Sequence, residues 1–340
     1  VAASISGLVF ASFASGFLSG IILHGIAGLC SGGSYTPGLT LIAERFSSGR
    51  RGRAMGFYLG AGSVAHALSI VVSSLLFPVG GWRLAFLVTC GMPTVGLALA
   101  LAALRHTPNL VHARTKAMEI WRPILAVLNN KAALLSMLAY TFHCWELLGM
   151  WAWLPAYFAA AALTGGNSAA SGMLGIGVLL SGLTYLISSL GSLIGGEMSD
   201  RLGRSLTILL FSCTSLAFSF TFGWMMTWPL WILFIAAALY NLSSIADSSV
   251  FSTSLTELVE PRYIGAAYAV RSVMGFGAGT ISPWVFGLVL DMARGGTPQS
   301  EHLAWGLAWT SLGLGALAGP VVTLMLRRRP EAARMARGLR

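Results

Sequence analysis

Apolar residues run along this chain in blocks of about 20, broken by short polar stretches, and a helix needs about that many to cross roughly 30 Å of hydrocarbon. The pattern predicts ten spanning helices, over 1–17, 19–43, 54–77, 82–104, 132–160, 171–197, 205–226, 229–256, 265–290 and 303–326. The break after Phe17 is faint. It is placed there because apolar character reaches from residue 1 to 43, too far for a single crossing. The expected class is an all-α polytopic membrane protein with about ten transmembrane helices.

Composition agrees. Hydrophobic residues make up 56% of the 340 and charged residues only 9%, against about 25% charged in soluble domains. The net charge of +10 does not describe a nucleic-acid surface, because the basic residues collect at the ends of apolar blocks. Arg45, Arg50, Arg51 and Arg53 form one cluster, Arg105, Arg114, Lys116, Arg122 and Lys131 a second, and the tail RRRPEAARMARGLR a third. Alternate connections therefore carry the positive charge. Those connections are 44–53, 105–131, 198–204, 257–264 and the tail, which the positive-inside rule assigns to the cytoplasm; the expected location is a bacterial cytoplasmic (inner) membrane. TGGNSAAS at 164–171, including Asn167, falls outside, and Arg83 and Arg294 are exceptions to the rule. The basic 105–131 loop divides the chain into an N-terminal four-helix part (1–104) and a C-terminal six-helix bundle (132–326), followed by a basic tail (327–340).

The two parts echo each other. IAERFSSGRRGRAMGF (42–57) aligns without a gap on LTELVEPRYIGAAYAV (255–270), placing Glu44 on Glu257, Gly52 on Gly265 and Ala54 on Ala267. Each is a charged loop whose Gly and small residue open the next helix, as duplicated transporter halves show.

Between the sixth and seventh blocks stands GGEMSDRLGR (195–204). Gly203 breaks the helix, Asp200 suits the positive N-terminal end of a neighbouring helix, and Arg201 and Arg204 either hold it or face anionic headgroups. The stretch resembles the cytoplasmic signature loop of the major facilitator superfamily, G-x-x-x-D-R-x-G-R, with Gly196, Asp200, Arg201, Gly203 and Arg204 in register. HGIAGLCSGGSYTP (24–37) resembles that family's fourth-helix pattern through Gly28 and Pro37, with His24 where the family carries Arg. RGRAMGF and GGWRLAF follow in the family's order. The resemblance implies a two-bundle fold of twelve helices, of which this chain holds the third to the twelfth, and a secondary active transporter working by alternating access. It also implies that the loop is a cytoplasmic gate, closing on the helix that starts near Arg53 and Ala54. The G-x-x-x-G-P motif of drug antiporters is absent from 54–77, where GAGSVAHALSIV stands, so drug/proton antiport is not supported.

Charges inside spans are costly and are functional candidates by default. Glu146 sits about 21 Å along its helix at 1.5 Å per residue, with His143 one turn earlier on nearly the same face. Asp247 lies about 15 Å from Glu257, in the Ser-rich NLSSIADSSV that also holds Asn241. Low dielectric favours a neutral carboxyl and imidazole titrates near neutrality, so the Glu146–His143 pair suits proton loading; a purely structural hydrogen bond between them is the competing account. The family resemblance implies that the helices carrying these residues, with the one carrying His24, line the central cavity. Arg271, about 9 Å inside its helix, is a candidate for an anionic solute or for Asp247, although snorkelling to the surface is the simpler expectation. Trp145, Trp151, Trp153 and Tyr157 suit stacking on a solute, or an interface belt.

Other classes lack their residues. His106 and His112 have no partner boxes for a membrane enzyme, and the two lysines, Lys116 and Lys131, leave no intramembrane lysine for a retinal. Cys30, Cys90, Cys144 and Cys213 have no metal-ligand spacing. The Gly clusters at 60–63, 195–198 and 275–279 lack the strand and the Lys-Ser/Thr of a phosphate loop and suit close helix packing. No enzyme, cofactor, metal or nucleic-acid partner is expected. The expectation is a monomeric carrier of a small organic solute in a lipid bilayer, with the proton as candidate coupling ion; a transporter-like sensor or scaffold is the alternative.

Overall fold

A computed structural model describes residues 1–106, 121–164 and 170–339; His112, Arg114, Lys116 and Asn167 lie outside the described residues. Each of the ten apolar blocks is helical. The first is α1 (Ala2–Phe13) and the second α2 (Phe17–Arg45), and the faint break is real: Ser19 Oγ accepts the N–H groups of Ser15 and Gly16. The third and fourth blocks form α3 (Ser48–Leu104), bent at Gly80 and Gly81, where Gly81 takes φ 65°. After the short α4 (Trp121–Asn129) come α5 (Lys131–Thr164), α6 (Ala170–Leu202) and α7 (Arg204–Thr221). α8 (Leu230–Ala246) and α9 (Ser248–Leu258) are one apolar stretch interrupted at Asp247. α10 (Ile264–Ala293) follows, then α11 (Pro298–Ala316) and α12 (Ala318–Arg327), which meet at Leu317. A 3-10 segment, Pro330–Gly338, ends the chain. Among the described residues eight helical stretches are long and apolar enough to cross a membrane, with α1 shorter and α3 holding two blocks in one stretch.

The helices are apolar outside and hydroxyl-rich inside. On α6, Leu183, Leu186, Leu190 and Ile194 are exposed along one stripe, while Ser181, Thr184, Ser188 and Ser192 are buried along another. Three of these hydroxyls donate to carbonyls one turn back, Ser181 to Gly177 (2.8 Å), Thr184 to Ser181 (2.8 Å) and Ser188 to Tyr185 (2.7 Å). Such bonds satisfy a polar group within its own helix, which hydrocarbon surroundings require. Small side chains then let the helices approach closely.

Two compact units emerge, and they do not follow chain order. One comprises Val1–Gly38 and Leu68–Met118; the other comprises Leu39–Ala67 and Glu119–Arg340. In the first, α1 packs on the second half of α3: Gly7 faces Cys90 so closely that a Cβ would meet its Sγ at 2.6 Å. Arg83 donates to the Ala14 carbonyl (3.3 Å) beside the α1–α2 break. In the second unit α5 packs against α6, α8, α10, α11 and α12, and α6 against α8.

Candidate functional site

The α6–α7 turn is built by glycines. Gly195 faces α8, where a Cβ would collide with the Ala246 carbonyl, and Gly196 faces α3, where one would collide with the Gly52 carbonyl. Gly52, Gly56 and Gly60 return the contact from α3 against Gly196, Ser192 and Ser189. Two adjacent glycines are needed because two helices press on opposite sides of α6. Gly203 then takes φ 98° as the N-cap of α7, a conformation that strains any side chain.

This packing brings Asp200 to the start of α3. Its Oδ1 accepts the N–H of Gly52 (3.1 Å) and its Oδ2 that of Arg53 (2.9 Å), so the carboxylate sits at the positive helix end. Arg204 is fully buried, and all five guanidinium donors are used. Nη1 bonds Asp200 Oδ1 (2.6 Å) and Ser199 Oγ (2.9 Å). Nη2 bonds the Ser48 carbonyl (2.7 Å) and Glu257 Oε1 (3.0 Å), and Nε bonds Glu257 Oε2 (3.1 Å). Glu257 also accepts from Ser48 Oγ (2.5 Å) and from the N–H of Ala336 (2.9 Å), and Arg51 stands 3.8 Å away. The cluster ties α3, α6, α7, α9 and the C-terminal segment together at one point. Arg201 stays out: it pairs with Glu197 at 2.5 Å on the exposed surface. Arg53 contributes its backbone, with its side chain exposed over the Phe57 ring at 5.8 Å.

A second cluster is buried where α5, α7, α8 and α9 meet. Glu146 is 4% exposed and accepts from Ser215 (3.1 Å) and Ser219 (2.7 Å), and Ser219 shares a 2.5 Å bond with Tyr240. The purely structural Glu146–His143 hydrogen bond, the competing account of the pair, is not formed. One turn brings the two side chains to nearby directions, but the break at Asp247 places a nearer carboxylate. His143 Nδ1 stands 2.8 Å from Asp247 Oδ1, and Nε2 lies 2.7 Å from Ser248 Oγ. The Asp247 contact is an ion-pair approach without aligned hydrogen-bond geometry, since Oδ1 has no aligned donor. Glu146, His143, Asp247 and Ser212 line one cavity of about 10 Å³, about the volume that admits a single water.

The other expected site residues divide. Arg271 does not snorkel: it is 1% exposed, donates to Ser252 Oγ (2.8 Å) and lies over Tyr140 at 4.2 Å, and Tyr140 in turn stacks on His143. Cation–π contacts on both Tyr140 and Tyr268 hold the guanidinium inward. Asn241 joins a different patch, accepting from Trp151 Nε1 (3.0 Å) and donating to Thr184 (3.3 Å), while His66 stacks on Trp151 at 4.8 Å. Trp145 turns to α11, against Gly315, away from Glu146. His24 belongs to the first unit, where it is exposed and meets Phe10 at 5.2 Å. Trp151, Trp153 and Tyr157 turn into the bundle. Each turns its polar tip to a partner within the bundle: Trp153 donates to the Pro283 carbonyl and Tyr157 to that of Phe222.

Sequence reasoning aligned Glu257 with Glu44 without giving it a role, and it gave none to Ser48, Ser199 or the Ser215, Ser219 and Tyr240 shell. Ser215 and Ser219 did leave a signal, one helical turn apart on a single face.

A family model described as Major Facilitator Superfamily matches residues 1–187. A protein from Cupriavidus pinatubonensis, described as "Probable 4-methylmuconolactone transporter", is 27% identical over 288 residues, covering 79% of this chain. The chain spans 63% of that relative's length. The fold resembles a bacterial homologue of the iron transporter ferroportin in an outward-facing state, at TM-score 0.66 and 15% identity, over 96% of this chain and 80% of that one. It also resembles the E. coli fucose:proton symporter, at TM-score 0.62 and 13% identity, over 93% and 82%.

Proposed function

The chain belongs to the major facilitator superfamily, and we propose that it moves a small organic solute across a membrane by alternating access, with protons as the coupling ion. The observation that carries coupling is the buried Glu146, His143 and Asp247 around one water-sized cavity, inside helices where an idle charge is costly. Alternating access would expose the cluster to each side of the membrane in turn. The relative's printed name directs the solute class toward organic acids and their lactones. A buried guanidinium, Arg271, reached from His143 through Tyr140, suits such an anion.

The Asp200–Arg204–Glu257 cluster is the gate in this reading, and the α6–α7 turn, with the chain ends, is cytoplasmic. The organisation is two half-bundles, 1–104 and 132–326, joined by 105–131. Leu39–Ala67, from the first half, groups with the C-terminal bundle because Asp200 and the glycine stripe hold it there, as a closed gate would.

The test is uptake of organic acids and lactones, 4-methylmuconolactone first, into proteoliposomes containing the full-length protein under an imposed pH gradient. Accumulation above the equilibrium level supports the proposal. Flux no greater than that of empty vesicles across the panel favours the sensor or scaffold reading.

A further inference from the structure

Beside the cluster at the α6–α7 turn lies a cavity of about 870 Å³ whose lining is sorted by chemistry. Ile42, Phe46 and Phe57 give it an apolar wall, and Arg50, Arg53 and Arg337 give it a cationic one. Among the described residues no ion pair engages any of these three guanidiniums. The two carboxylates in the lining are spent elsewhere: Asp200 is held by Arg204 and Glu197 by Arg201. The cavity therefore keeps a net positive charge.

Arg337 is brought there by an unusual backbone. Ala336 and Arg337 take φ 47° and 60°, left-handed values that cost a non-Gly residue free energy. The Ala336 N–H bond to Glu257 and the burial of Ala332, Met335 and Ala336 hold that conformation. The guanidinium then rests against Gly49, where a Cβ would meet its Cζ at 2.9 Å. A larger residue at 49 would fill the place Arg337 takes.

We propose that this cavity binds an anionic phospholipid, its phosphate between Arg50, Arg53 and Arg337 and an acyl chain along Phe46, Phe57 and Ile42. The cavity opens at helix ends, which in a membrane-spanning chain lie at headgroup depth. Basic pockets between helices at that depth suit phosphorylated headgroups, and the adjoining apolar wall excludes a free phosphate as the better fit. The bound lipid would bridge the C-terminal segment to the start of α3, beside the Asp200 contact. The inference does not depend on which solute is carried or on coupling.

The experiment is native mass spectrometry of the full-length protein released from nanodiscs of equimolar phosphatidylglycerol and phosphatidylcholine. A retained phosphatidylglycerol adduct is expected, with no equivalent phosphatidylcholine adduct, and millimolar inorganic phosphate should not displace it. At about 1 kcal/mol per basic residue near a lipid surface, Arg337→Gln should lower adduct occupancy about fivefold, and Arg50→Gln/Arg53→Gln/Arg337→Gln about a hundredfold. These side chains lie outside the Arg204 cluster, so the unfolding midpoint should not change. Equal adducts in wild type and triple variant, or no preference between the two lipids, would overturn the proposal. Displacement by inorganic phosphate would also overturn it, assigning the arginines to a soluble anion.

Discussion

Arg204 and Glu257 form a side-on pair, Nε to Oε2 and Nη2 to Oε1, with both side chains almost wholly buried at the meeting of α7 and α9. Removing one partner of such a pair typically costs about 3–5 kcal/mol, because the other charge stays buried. Glu257→Gln keeps part of the hydrogen bonding and should cost about 3 kcal/mol. Arg204→Lys offers three donors where five are used and should also lower the unfolding midpoint in detergent. Unchanged midpoints in both variants would mean that the pair does not hold this end together.

Gly52→Ala and Gly62→Ala form a matched contrast on one helix. A Cβ at Gly52 meets the Gly196 carbonyl and the Asp200 and Ser199 side chains, whereas at Gly62 nothing lies within 4 Å. The first should separate α3 from α6 and destabilise by about 1–3 kcal/mol as overpacking does. The second should be neutral or stabilising by about 0.5–1 kcal/mol, since Ala outranks Gly in a helix interior. Similar thermal midpoints for the two variants would show that the close approach is not maintained in the membrane.

The fold was legible because hydrocarbon enforces block length: all ten blocks became helix, and even the weak break near Phe17 fell within a few residues. The turn chemistry of Asp200 points to a helix N-terminus, and the family resemblance supplies which one, the start of α3, where the contact is found. The exceptions to positive-inside became intelligible through partners in space, Arg83 through the Ala14 carbonyl and Arg294 through Glu301 at 3.1 Å. The approach of His143 to Asp247 is not readable from helical spacing, which sees only its own helix. The local break that delivers Asp247 has no marker in NLSSIADSSV. The inward turn of Arg271 is not readable from its own helix because Tyr140 and Ser252, which hold it, come from α5 and α9, and the role of Glu257 is not readable because its partners are spread over α3, α7 and the C-terminal segment.

Asp200→Asn should leave insertion intact while loosening the contact with α3. The amide can still accept one N–H, yet it loses the charge that favours the helix end and Arg204. The expected outcome is faster labelling of Thr253→Cys, at a position buried in the wild type, by a membrane-impermeant maleimide applied to the α6–α7 side. Equal labelling rates with and without the Asn substitution would reduce Asp200 to a loop residue.

Glu146→Gln tests coupling itself. Ser215 and Ser219 donate to Glu146, and a glutamine of nearly equal shape can take both roles because serine hydroxyls reverse donor and acceptor by rotation. Folding should survive. What the amide cannot do is bind and release a proton, so solute accumulation driven by a pH gradient should fall to the equilibrium level while downhill exchange continues. Asp247→Asn removes the carboxylate nearest His143. It should shift the pH dependence of uptake, because one ionisable group of the cluster is replaced by an amide that cannot exchange a proton. His143→Ala should shift it as well, by removing the imidazole that lines the same cavity as Glu146. The measurement is pH-gradient-driven uptake and counterflow in proteoliposomes of the full-length protein, for each variant across pH. If Glu146→Gln accumulates solute like the wild type, Glu146 is a structural tie to α7 and the proton must travel on the His143–Asp247 pair. If all three variants accumulate normally, protons do not drive the cycle through this cluster.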